Sequence, residues 1–225
     1  LGASTHGTSE FVRMRSRLTR ELVTVHGFDF VALEAGWADA ARIDRYLRDG
    51  DVPESGWTGS APFPAWMWRN VETRELVESL RDYNSGIGEP DERVAVHGLD
   101  LYGMSASIAR ALAHLDRVDP DVAAEAGALY ACMGPWRDEP GLYPSTATRE
   151  TRESCEKDVV DELRHLLARR LRPGGHVSDD LLEAVQDARV VADAERFYRL
   201  LYRAADEAWN LRERHMMDTL RLLLA

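Results

Sequence analysis

Between Thr8 and about His26 the apolar positions recur at helical spacing, with Phe11, Met14, Leu18, Leu22 and Val25 on one stripe. Thr8 suits the N-cap, and Glu10 puts a negative charge in the first turn, where the helix dipole favours it. Gly27 closes this helix as a C′ glycine. The period then changes. "FDFVALEAG" is a short apolar run between glycines and predicts a buried strand ending at Glu34, followed by a helix over about 38–47. The stretch "DVPESGWTGSAPFP" at 51–64 is rich in Gly, Pro and Ser and reads as a long loop, the kind that often serves as a lid or binding loop. "AWMWRNVETRELVESLRDYN" is helical, and "RVAVHGLD" is a further buried strand ending at Asp100.

Beyond Asp100 the pattern is helical throughout. Helices are expected at about 104–117 and 119–132, then a loop, "GPWRDEPGLYPSTA", then helical segments at about 147–171, 177–204 and 205–224. Alternating strands and helices predict an α/β fold, a parallel or mixed sheet covered by helices, over residues 1–103. Residues 104–225 are expected to form an attached helical subdomain leading back toward the sheet. Leu1-Gly2-Ala3 reads as the end of a strand whose start is missing, and "TLRLLLA" stops without a cap. The chain is therefore expected to be part of a longer protein.

Composition narrows the classes. The 225 residues carry 39 acidic against 28 basic side chains, a formal net charge of -11. That argues against a duplex nucleic-acid partner, which requires a basic footprint. Lys157 is the only lysine, leaving little room for Schiff-base or P-loop chemistry. Cys132 and Cys155 form no CxxC site and no disulfide framework, and read as buried or incidental thiols. No apolar run is long enough for a membrane span and no signal peptide is visible, so the expectation is a cytoplasmic monomer.

Candidate chemistry gathers at the strand ends, where open α/β sheets bind ligands. His6 lies in the turn between the first expected strand and the first helix. Glu34 ends the second strand, and "HGLD", with His97 and Asp100, ends the third. A histidine oriented by a carboxylate makes a general base. If the strands are neighbours, His6, Glu34 and Asp100 converge on one rim. The plainer reading is that Glu34 and Asp100 cap the turns that follow. Of the arginines on the first helix, Arg15 alone projects onto the stripe of Phe11, Leu18 and Leu22, while Arg13, Arg17 and Arg20 point away. A guanidinium on a core-facing side needs an anion, and Glu34 is the nearest candidate. "FPAWMWRN" groups Phe63, Trp66, Trp68 and Arg69 beside the long loop, suiting either a pocket for a bulky organic ligand or helix packing. There is no G-x-S-x-G elbow, H-E-x-x-H, Walker A or Gly-rich dinucleotide loop. His6 and Glu10 make only one H-x-x-x-E pair, weak evidence for a metal site.

Taken in order, "LGASTHGTSEF", "VALEAGWADAARIDRYLRDG", "FPAWMWRN", "HGLDLYGMSASI" and "AWNLRERHMMDTL" resemble the successive blocks of the erythromycin esterase family. The resemblance implies an α/β core with a helical subdomain and hydrolysis of an ester or macrolide-like lactone. His6 maps onto the family's proposed general base, Arg15 onto its first-helix arginine and Glu34 onto its strand-end glutamate. Trp66, Arg69, Asp100, His97 and Glu10 are expected at the substrate, with no metal and no cofactor. Two departures stand out. Ala3 occupies the place of the family's opening glutamate, and the chain stops before an expected W-x-H-N-x-H-like motif. They keep two alternatives open: an impaired relative that binds a ligand or regulates, and a metal-dependent hydrolase in which His6, Glu34 and a downstream histidine are ligands.

Overall fold

The structure, a computed structural model, describes residues 1–2, 5–48, 65–118, 120–136, 140–142 and 179–225. The expected loop at 51–64, the helix at 147–171, Phe63 and Ala3 lie outside the described residues. The chain divides into two compact units, Leu1–Leu99 and Asp100–Ala225.

In the first unit, helix α1 (Ser9–Thr24) leads to strand β1 (Phe30–Gly36), helix α2 (Trp37–Arg48), a 3-10 turn at Ala65–Trp68, helix α3 (Val71–Ser85) and strand β2 (Ala95–Asp100). The two strands pair in parallel, and the described architecture is mostly helical around this small sheet. The third strand expected at Leu1-Gly2-Ala3 is not formed at Leu1 and Gly2, which are exposed and irregular. Thr8 has the extended backbone of an N-cap, but its side chain makes no capping bond and instead shares a hydrogen bond with the Thr5 hydroxyl. Gly27 does close the helix. It lies two residues past the C-cap Val25, so His26 takes the C′ position expected of the glycine; at φ +72° Gly27 turns the chain so that the Phe28 N–H donates to the Leu22 carbonyl at 3.1 Å.

The apolar stripe expected to seat α1 is not the buried one. Met14 is 53% exposed and Val25 69%, with Phe11 and Leu18 also exposed. The buried positions are Val12, Ser16 and Val23. Both stripes have helical spacing. The small side chains of the second admit a close neighbour, and α1 packs beside α3. At their starts the Ser9 hydroxyl donates to the Glu72 carboxylate, which Arg13 also approaches at 3.5 Å. The Ser9 hydrogen bond holds the Glu72 carboxyl below the usual range.

Behind the sheet, Val23, Ile43, Leu47, Val77, Leu80 and Val96 form the core of the first unit. Asn84 ties its backbone together. Its side-chain oxygen accepts from the Val94 N–H at 2.9 Å and its nitrogen donates to the Val94 carbonyl at 2.9 Å. Gly98 is required by the strand pair itself. A Cβ there would stand 2.5 Å from the Gly36 carbonyl oxygen and 2.6 Å from that of Ala35, both backbone atoms. Gly98→Ala is therefore expected to destabilise the first unit by about 1–3 kcal/mol, read as a lowered urea midpoint. An unchanged midpoint would mean that β1 and β2 part freely.

In the second unit, helices α4 (Met104–Val118), α5 (Pro120–Tyr130), α6 (Asp179–Leu201) and α7 (Ala205–Leu223) bury Leu101, Met104, Ile108, Met133, Val191 and Phe197. Helix α5 continues as a 3-10 turn over Ala131–Trp136, where Pro135 prevents a regular α-helix. Buried polar ties join the helices. Arg110 on α4 reaches Asp187 on α6 at 2.8 Å, and burial raises the Asp187 carboxyl above its usual value despite that cation. His215 on α7 meets Asp193 on α6 at 2.7 Å, and Gln186 donates to the Thr219 hydroxyl at 2.8 Å. Cys132 is disulfide-bonded, contrary to the free thiols expected; Cys155 lies outside the described residues. No described helix is long and apolar enough to cross a membrane.

Candidate active site

A cavity of about 430 Å³ opens in the first unit between α1, β1, the 3-10 turn and α3. Most of its wall is apolar, with Leu22, Phe30, Leu33, Met67 and Leu80 among the lining side chains. His6, Arg15 and Glu34 line the same space. The turn ahead of α1 carries His6, α1 carries Arg15, and β1 carries Glu34 near its carboxyl end. His6 and Glu34 are exposed and Arg15 is half-buried, so the polar groups stand at the accessible part of the wall.

Trp68 organises this part. Its indole N–H donates to the Glu34 carbonyl at 3.1 Å, which anchors the ring to the end of β1. The Arg15 guanidinium lies over the ring, 5.6 Å from its centre, a cation–π contact worth about 0.5–1 kcal/mol at such a site. The expectation that Arg15 pairs with the Glu34 carboxylate is thus met differently: the arginine meets the tryptophan that Glu34 holds through its backbone. Arg15 and Trp68 both line the cavity.

The other sequence candidates lie in distinct surroundings. His97 on β2 is stacked on Trp37, rings 5.4 Å apart and 15° from parallel, and meets Phe30 edge-on at 6.0 Å. Asp100 is fully buried and belongs to the second unit, where Arg212 donates to it from Nε at 3.0 and 3.2 Å and from Nη2 at 2.5 Å. Glu10 is exposed in the first turn of α1. Arg69 follows the 3-10 turn, and its buried Nε has no hydrogen-bond partner among the described residues. Its charge acts on Asp39, whose carboxyl is raised by burial, with Arg42 and Arg69 opposing the rise. The backbone of Trp66 is in the 3-10 turn; its side chain lies outside the described set. Among the described residues, no three His, Cys, Asp or Glu side chains gather as metal ligands would.

Two cavity residues escape sequence reasoning altogether: Ser16 and Thr73, buried hydroxyl-bearing residues on α1 and α3. For Ser16 the sequence signal is the spacing of Val12, Ser16, Thr19 and Val23, a second stripe on α1 that an apolar count passes over; Thr73 on α3 carries no such signal. The site as a whole presents an imidazole and a guanidinium beside a partly open space with a mixed, more apolar than polar wall. Such a set can hold an uncharged organic molecule, position a polarised oxygen against the cation and move a proton at the imidazole.

Comparison with known proteins narrows the fold. The chain resembles a solved succinoglycan biosynthesis protein at 21% identity and a TM-score of 0.79, over 97% of this chain and 51% of that one. A Bacillus cereus protein matches at 22% identity and 0.72, over 88% of this chain and 47% of the other. A mutant of the erythromycin esterase EreC in its open conformation matches at 15% identity and 0.62, over 96% of this chain and 54% of that one. The chain therefore spans about half the length of these solved structures. A sequence model of the erythromycin esterase family matches residues 23–225, a span that includes Glu34, Trp68 and Asp100 and begins after His6 and Arg15. The chain belongs to the erythromycin esterase family.

Proposed function

We propose that the protein is a carboxylic-ester hydrolase, acting on an ester or macrolide-like lactone with a water molecule activated by His6. The observation that carries this reading is the single cavity lined by His6, Arg15 and Glu34, with an apolar wall behind them. Family membership supports hydrolysis as the reaction class.

In this mechanism the imidazole of His6 accepts a proton from water as the oxygen attacks the carbonyl carbon. The carbonyl π electrons move onto its oxygen, giving a tetrahedral oxyanion. Arg15, held over Trp68, stabilises that charge as it develops. When the intermediate collapses, the C–O bond to the alcohol breaks and the leaving alkoxide takes the proton from the imidazolium. An ester yields an acid and an alcohol; a lactone yields one hydroxy acid. Glu34 is the partner assigned to orient the imidazole. Trp66 and Arg69, within and just after the 3-10 turn, are candidate substrate contacts, with Glu10 and His97 as further candidates. The substrate is a small uncharged molecule, and the working unit is a monomer in the cytoplasm.

The mechanism is tested by running the protein on an ester and lactone panel in ¹⁸O-labelled water. One labelled oxygen is expected in the product carboxylate and none in the alcohol. Label in the alcohol would overturn water attack at the carbonyl, and no turnover across the panel would overturn the hydrolase reading.

A further inference from the structure

Two hydroxyls in the cavity wall lack the hydrogen bonds that buried hydroxyls nearly always make. Ser16 Oγ on α1 and Thr73 Oγ1 on α3 are buried and have no hydrogen-bond partner among the described residues. Their residues are 6% and 3% exposed, and both line the cavity. A hydroxyl inside a helix commonly returns its hydrogen to the carbonyl one turn back. Thr24 on α1 does so, donating to the Arg20 carbonyl at 2.8 Å, and Ser16 on the same helix does not. Nor is Thr73 needed as a cap, since Asn70 already accepts from the Thr73 backbone N–H at 2.8 Å. Val12, Val77 and Leu80 are among the apolar residues that line the same cavity. A purely hydrocarbon ligand would leave both hydroxyls unpaired. A ligand that brings an oxygen to this part of the wall gives them a partner.

We propose that this cavity binds an aliphatic ester whose acyl chain carries a second hydrogen-bonding oxygen, a hydroxyl or ketone remote from the ester, and that the Ser16 and Thr73 hydroxyls bond that oxygen. The placement of the ester beside His6 rests on the hydrolase reading; the hydroxyl subsite does not. The volume of about 430 Å³ lies in the ordinary range for small-molecule sites and accommodates an extended chain of this kind. A pocket that only encloses hydrocarbon discriminates weakly, whereas one that hydrogen-bonds an oxygen rejects the analogue lacking it. Ser16 and Thr73 therefore set specificity and do no chemistry.

Binding is measured by calorimetry in the His6→Asn protein, so that esters are not consumed. The probes are methyl hexanoate, octanoate and decanoate, each beside its ω-hydroxy counterpart. At least one ω-hydroxy ester is expected to bind about 10-fold more tightly than its plain partner. In the Ser16→Ala, Thr73→Val double variant that preference should vanish. Removing two unsatisfied buried hydroxyls should leave the Tm unchanged or raised, and Thr73→Val alone carries the test if the double variant fails to fold. Equal affinities for both series, as when water alone occupies the hydroxyls, would overturn the proposal, as would a preference that survives the substitutions. Selective binding in a protein that turns over no ester would defeat the hydrolase reading and leave this subsite standing.

Discussion

Replacing His6 by asparagine is expected to lower kcat for ester hydrolysis by about 10²–10⁴-fold, the range for losing a positioned general base. Asparagine keeps a polar side chain of similar reach but accepts no proton at neutral pH. Because His6 is exposed in the turn ahead of α1, its loss removes no core packing. The melting curve should therefore coincide with that of the native protein, and KM should change little beside kcat. A variant with native kcat would remove His6 from the mechanism. Arg15→Met is the companion measurement. It takes away the charge over Trp68, and a loss in kcat larger than that in binding would mark an interaction made in the transition state.

The second large effect concerns stability. Arg212→Ala is expected to destabilise the second unit by about 3–5 kcal/mol, because it leaves the Asp100 carboxylate buried without its cation. Asp100 is fully buried, and Arg212 is 8% exposed. Besides its hydrogen bonds to both carboxylate oxygens, the guanidinium lies 5.3 Å from the centre of the Tyr102 ring and 5.5 Å from Trp209. Asp100 also accepts from the Leu101 N–H at 2.8 Å, so one carboxylate organises both the start of the second unit and α7. Urea unfolding followed by tryptophan fluorescence should show a lower midpoint for Arg212→Ala. Asp100→Asn, which keeps an acceptor and removes the charge, should fall by less. A midpoint within about 0.5 kcal/mol of native in Arg212→Ala would show that the pair contributes no more than a surface substitution.

Much of the local structure was legible. Strand β2 ends at Asp100 as its pattern predicts, and α1, α2 and α3 arise where apolar spacing places them. The family resemblance rested on ordered blocks whose spacing a single chain displays, and the family match agrees. Of the candidate site, a histidine in the turn before a helix, an arginine on that helix and a glutamate near a strand end could be picked out locally, and these three line one cavity. The sheet was less legible. Residues such as Leu1 and Gly2 are apolar or small enough for a strand, yet a strand forms only where a neighbour accepts its hydrogen bonds.

What the sequence by itself determined is the set of elements and their amphipathic faces, because spacing and turn chemistry act over a few residues. Only the tertiary structure decided which face of α1 is buried. Two stripes of equal period competed, and packing beside α3 selected the one with Val12, Ser16 and Val23 because small side chains let the helices approach. That choice places the Ser16 hydroxyl in the cavity wall and leaves Met14 exposed. Tertiary structure also gave Asp100 its partner, 112 residues away along the chain, and stacked His97 on Trp37. These pairings depend on distance in space, and no local pattern encodes the distance between residues that the chain folds together.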